Sequence, residues 1–279
     1  MTKTADLAYW ISERYAMKER KDANIGPKLL HGYSADPNMG RVRYCNVHRE
    51  DDKVTKWLAE HWRPAHASAW EIVLARMINY IPSLQQILVG WEQHPEEDPI
   101  SRAFKDLWVE RNQGKKIFTS AYTISTCGKS MDKLDYVRGV VQSVRREEES
   151  SGQWWPNKHS LYSFHDDLMH IDGLGSFLAA QVVADLKNTK HHVLEEATDW
   201  WTWAAPGPGS LKGLEEYFGY RVTPSFFESA INVAWADVKP LVTHVPPIHM
   251  QDFQNCLCEF SKYERVKRGG HARNKYHPG

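Results

Sequence analysis

The sequence lacks several features that usually announce a function. Its net charge is zero, with 35 basic and 35 acidic residues among 279, so no global field points to a polyanionic partner. It has only four cysteines, Cys45, Cys127, Cys256 and Cys258. Their spacing fits neither a zinc site nor an iron–sulfur cluster, and Cys256 and Cys258 cannot share one helix face. They read as reduced thiols, mainly core. No apolar run approaches the roughly 18 residues of a membrane span. The start, Met1-Thr2-Lys3-Thr4-Ala5-Asp6, has no apolar stretch behind it, so neither a signal peptide nor a membrane partner is expected. No Gly-x-x-x-x-Gly-Lys-Ser/Thr loop occurs, which excludes P-loop phosphoryl transfer. Strand patterns, internal repeats and low-complexity tracts are missing too.

What remains is ordinary in bulk, 42 % hydrophobic and 25 % charged, and fits a globular protein with a sizeable core. The chain is organised around Leu168–Leu186, where Gly173-Leu174-Gly175 separates two apolar, helix-patterned runs. This predicts helix, tight hairpin and helix over 168–187. The hairpin amides and the first turn of the second helix (Ser176 onward) form an anion site that suits a DNA phosphate. The bare pattern, taken alone, is more often that of an ordinary turn.

Other helices are expected over Thr4–Lys21, from Asp51 or Asp52 to about Trp62, over Ala67–Ile81 (stopped by Pro82), Ser83–Leu88, Ile100–Gln113, Met131–Glu149, Pro224–Lys239 and Ile248–Tyr263. Trp91–Asp98 reads as loop. Asn46, His48, Arg49, Glu50 and Asp51 form a dense polar cluster, either a capped helix start or the wall of a substrate pocket. Lys115 and Lys116 are a possible second basic patch or a solvated helix end. Asp199 precedes Trp200, Trp201 and Trp203, and the turn Pro206-Gly207-Pro208-Gly209-Ser210 with Lys212 is suited to capping a helix and holding an anion. Residues 261–279 carry six bases (Lys262, Arg265, Lys267, Arg268, Arg273, Lys275) against Glu264. That basic tail is a phosphate contact or a solvated terminus.

Leu168–Leu186 resembles the helix-hairpin-helix of the DNA glycosylase superfamily, in which an aspartate of the base pocket follows about twenty residues on; Asp199 matches loosely. Phe177 stands where strand-cleaving members have a lysine, which argues against Schiff-base chemistry. A closer resemblance spans nearly the whole chain. The segment Tyr44–Val54, the Gly173–Gly175 hairpin, Pro206–Ser210 with Gly213-Leu214, and Gln251–Phe260 are similar to the phage alpha-glutamyl/putrescinyl-thymine pyrophosphorylases, whose helical domain also occurs fused to 5-hydroxymethyluracil DNA kinases. The resemblance implies an all-α, glycosylase-like, compact multi-helix fold with a base pocket between helical lobes. It is treated as one domain, 1–279, divisible into lobes at about 1–150 and 151–279.

The activity so implied is an amino acid (or amine):DNA transferase. It replaces the pyrophosphate of 5-pyrophosphoryloxymethyluracil in phage DNA with an amino acid such as glycine, or a polyamine, giving hypermodified thymine. The base would be flipped into the pocket. The leaving group must be held, the amine aligned and deprotonated, and water excluded. On this view Asp199 is the catalytic base or ammonium anchor. Ser210 and Lys212 hold pyrophosphate, and Asn46, His48, Arg49 and Glu50 read the base or the amino-acid carboxylate. Trp200, Trp201 or Trp203 stacks on the base. Gly173, Leu174, Gly175, Ser176, Lys262, Arg265, Lys267 and Arg268 contact DNA. No cofactor or metal is required beyond the amine, with a monovalent or divalent cation at the hairpin left open. Partners are double-stranded DNA carrying modified thymine, the amine and the phage DNA kinase, in the cytoplasm of the infected host. The rival readings are a glycosylase for a modified pyrimidine and a non-catalytic DNA-binding module that partners the kinase.

Overall fold

The computed structural model describes residues 2–25, 33–40, 42–62, 68–119, 126, 128–151, 158–188, 194 and 196–271. Cys127, Arg273 and Lys275 lie outside them. Among the described residues the regular structure is helical, with no strand. The contacts divide the chain into two units, Met1–Asp52 with Trp201–Gly279, and Lys53–Trp200. The division falls elsewhere than the lobes suggested by the sequence: the two ends of the chain share one unit.

The first unit holds α1 (Thr4–Asp22), α2 (Pro37–Gly40), a 3-10 turn Arg49–Asp51, α10 (Pro208–Phe218), α11 (Phe227–Val238) and α12 (Met250–Lys267). Helix α12 is its axis, packed against α10, α1, α2 and the Arg49–Asp51 turn. Leu7, Trp10, Ile11, Leu214, Tyr217, Ile231, Phe253, Leu257 and Phe260 form the core around it. Gly209 and Gly213, four apart on α10, let α12 come close. A Cβ on Gly213 would collide with the Leu257 carbonyl, and one on Gly209 with the Cys258 sulfur. Helix α12 runs to Lys267, so 261–267 of the expected basic tail is ordered helix.

The second unit holds α3 (Lys53–His61), α4 (Ala69–Ile78), α5 (Ile81–Gln93), α6 (Pro99–Asn112), α7 (Lys133–Ser151), α8 (Leu161–Met169) and α9 (Ser176–Lys187). Every residue of α4 is buried, and α5, α7 and α9 pack on it. Pro82 was expected to stop a helix that began at Ala67. Instead α4 ends at Asn79, whose φ of +47° is left-handed and whose N–H bonds to the Ala75 carbonyl at 2.8 Å. Pro82 then sits in the first turn of α5, where its missing N–H costs nothing. Helix α5 also takes in 91–93, which had read as loop.

Arg76 on α4 and Asp185 on α9 form a buried ion pair, with Nε to Oδ2 at 2.5 Å. Thr55 on α3 donates to the same carboxylate at 3.0 Å. Removing one partner from such a pair strands a charge and costs about 3–5 kcal/mol.

Candidate functional site

The 168–187 stretch folds as α8, a tight turn and α9, with α8 packed on α9. Leu174 N–H bonds to the Ile171 carbonyl at 3.0 Å and closes the turn. Gly173, at its third position, has φ +98°, and a Cβ there would lie 2.6 Å from Val140 Cγ2. Leu174 is buried. Gly175 is different: it precedes α9 with φ −70°, and nothing lies within 4 Å of where its Cβ would be. There is thus open space beside Gly175, at the helix end where backbone amides lack intrahelical partners, a place an anion can approach. His165 on α8 braces this end, its Nε2 bonding to the Ser176 carbonyl at 3.0 Å; burial pushes its pKa down. Phe177, at the position where strand-cleaving glycosylases have a lysine, is half exposed. Asp172 at the tip pairs with Lys129 at 2.6 Å.

Asp199 caps α8. Its Oδ1 accepts the Leu161 N–H at 2.6 Å, and its Oδ2 accepts the Tyr162 N–H at 3.0 Å and the Ser160 hydroxyl at 2.9 Å. Three of the roughly four lone-pair positions of a carboxylate are thus committed to the fold. The indole of Trp200 lies under the buried Lys187 ammonium, 4.7 Å from its ring centre, and its carbonyl accepts from the same ammonium. Trp200 is thus held as packing for a cation.

The first unit draws three separate sequence motifs onto α12. Asp252 Oδ1 accepts the Arg49 N–H at 2.9 Å, and Oδ2 accepts the His249 N–H at 3.1 Å. Asn255 Nδ2 donates to the Asn46 carbonyl at 3.3 Å, and Glu259 accepts the Cys45 N–H at 3.2 Å. Gln254 Nε2 donates to Ser210 Oγ at 3.2 Å. Asn46 donates to the Asp51 carbonyl at 2.8 Å. His48 is buried, its Nε2 3.3 Å from the Pro246 carbonyl. A carbonyl only accepts, so that nitrogen carries the proton. Trp201 is 53 % exposed and its ring lies 4.0 Å, centre to centre, from that of His249. Trp201 also accepts the Met250 N–H at 3.0 Å, which ties it to the start of α12. Glu50 is exposed and Trp203 half-buried.

Ser210 is fully buried; besides the Gln254 contact it accepts the Gly207 N–H at 3.1 Å and donates to the Gly207 carbonyl at 3.0 Å. Its hydroxyl is used up holding the turn. Lys212 is exposed and makes no ion pair with a described residue. The basic end of α12 is largely neutralised internally. Lys262 meets Glu259 at 3.2 Å, Lys267 meets Glu264 at 3.6 Å and Asp6 at 3.8 Å, and Arg268 meets Glu216 at 2.7 Å. Arg265 is exposed and without an ion pair among the described residues. Lys115 is likewise paired with Glu110 at 2.7 Å, and Lys116 lies over Tyr80.

One grouping of metal-type ligands occurs among the described residues: His94, Glu96 and Glu97, at the end of α5. Arg102 at 3.4 Å and Lys105 at 3.6 Å already neutralise Glu97. No helix among the described residues is long and apolar enough to cross a membrane.

A family model described as the helical domain of 5-hmdU DNA kinase matches residues 2–273. The chain belongs to that family. The match spans both units, so the family's helical domain comprises both together. The expected kinship with that kinase's helical domain therefore holds, and so does the all-helical architecture. No curated protein and no solved structure matches the chain. The residues that sequence reasoning missed are His249, Asp252, Asn255 and Glu259. The last three lay inside a motif already singled out, spaced three and four apart on one face of α12, and that spacing was the available signal.

Proposed function

We propose that the protein is a DNA-modifying transferase that replaces the pyrophosphate of 5-pyrophosphoryloxymethyluracil in phage DNA with an amine. One observation carries the reading: segments 44–51, 207–213 and 249–259, far apart in sequence, are hydrogen-bonded together around the first half of α12. Buried polar side chains cost free energy unless they are hydrogen-bonded, and here they bond to one another and hold the three segments in place; this family's name links the domain to 5-hydroxymethyluracil in DNA.

In this reading the lone pair of the neutral amine forms the C–N bond to the exocyclic methylene, and the ammonium so formed gives its extra proton to solvent. The C–O bond breaks, and its electron pair leaves with pyrophosphate. Arg49 and Lys212 offset the charge of the leaving group. Trp201 offers an exposed face for stacking. The open amides at Gly175 and Ser176 take a backbone phosphate. The narrower kinship with thymine pyrophosphorylases and the glycosylase-like superfamily belongs to the same proposal, as do action in the host cytoplasm and cooperation with the DNA kinase.

A second reading, a non-catalytic DNA-binding module for the kinase, is favoured by Asp199 being engaged as a cap. One assay separates them. With pyrophosphorylated duplex and free glycine, a transferase releases pyrophosphate only when glycine is present and leaves no abasic sites. Abasic sites would mean a glycosylase, and no release with DNA binding intact would mean the module.

A further inference from the structure

Arg14, on α1, is partly buried, and its bonding is unusual for an arginine. Its Nε donates to the Cys45 carbonyl at 2.9 Å. One terminal nitrogen donates to Asn46 Oδ1 and, at 3.5 Å, to the Tyr44 carbonyl. All three acceptors are neutral. The carboxylates whose field reaches Arg14 are Glu259 and Asp51, and both are engaged by other cations, Lys262 at 3.2 Å and Lys18 at 3.4 Å. No carboxylate of a described residue lies within ion-pair distance of Arg14, and its other terminal nitrogen makes no hydrogen bond to one. A cation taken partly out of water is normally matched by an opposite charge. Here the backbone carbonyls orient the guanidinium and leave one edge of its donor fork open.

The surroundings narrow the anion. The negative fields of Glu259 and Asp51 reach Arg14 and oppose a multiply charged group such as pyrophosphate. A zwitterion meets less resistance: its single carboxylate matches the open guanidinium edge, and its ammonium is drawn to the same acids. We propose that Arg14 binds the carboxylate of an amino-acid co-substrate and so selects an amino acid over a simple amine. This rests on the transferase reading for its substrate and on the geometry of Arg14 for its residue.

The test compares glycine with methylamine, which lacks the carboxylate. In the transfer assay, wild type should show a lower KM for glycine. Arg14→Gln should raise the KM for glycine tenfold or more and leave methylamine unchanged, with Arg14→Lys recovering part of the loss. An equal loss for both amines would make Arg14 a structural tie and overturn the proposal. So would a wild type with no preference for glycine, a result that does not depend on any variant folding. Calorimetric titration of the full chain with glycine separates the two levels. If wild type transfers neither amine, the transferase reading falls. Glycine binding that weakens tenfold in Arg14→Gln would still uphold the carboxylate site, and unchanged binding would overturn it.

Discussion

Gly173 has φ +98° and would press a methyl onto Val140 and Tyr136, whereas Gly175 has φ −70° and open space beside it. Gly173→Ala should therefore cost roughly 1–3 kcal/mol in urea unfolding. Gly175→Ala should keep nearly all its stability and weaken binding to duplex DNA, read by fluorescence anisotropy. Unchanged affinity in a folded Gly175→Ala would remove the hairpin from DNA binding. His165 supplies a pH test. Burial lowers its pKa below the ordinary 6.5, so the unfolded state takes up its proton first as pH falls. Its contribution to stability is complete above about pH 6.5 and declines as pH drops through its folded value. The urea midpoint should fall between pH 7.5 and pH 5, by less in His165→Gln. Residue identities were legible at this scale and residue roles were not. Asp199 was found by its distance from the hairpin, yet its donors lie 37 to 39 residues earlier, at the start of α8. No spacing rule connects them. Asp199→Ala tests that role by itself: losing the cap should cost about 1 kcal/mol in unfolding, whatever happens to activity.

Helix α10 shows that one motif can serve packing as well as capping. Its Pro-Gly start suggested a helix cap and an anion holder, and the cap is present. In the fold Gly209 and Gly213 form the flat side on which α12 lies, and Ser210 closes the turn. The pattern of small residues four apart was visible; only the partner helix was missing. Gly213→Ala should cost about 1–3 kcal/mol through overpacking against the Leu257 backbone. It should also lower activity beyond that loss, because α12 anchors the 44–51 loop through Asp252, Asn255 and Glu259. Thermal unfolding with a parallel rate measurement checks both. Helix existence was readable from apolar periodicity, as in α1 and α6. The break between α4 and α5 was not, since it depends on Asn79 adopting a left-handed conformation and on Pro82 opening a helix.

At the scale of the whole molecule, the net charge is zero, and three of the bases of the expected basic tail are paired. Lys262, Lys267 and Arg268 are each matched by an acid within the first unit. Affinity for DNA then rests on few phosphate contacts, and its salt dependence should be shallow. The division into two units was hidden because residues 1–52 join 201–279 through pairings that no local pattern encodes. The central claim is the reaction, and product analysis tests it most directly. Duplex DNA carrying 5-pyrophosphoryloxymethyluracil is incubated with the protein and glycine, digested to nucleosides and examined by mass spectrometry. The account predicts a nucleoside whose C5 methylene is bonded to the glycine nitrogen; recovery of 5-hydroxymethyldeoxyuridine alone, or loss of the base, would contradict it.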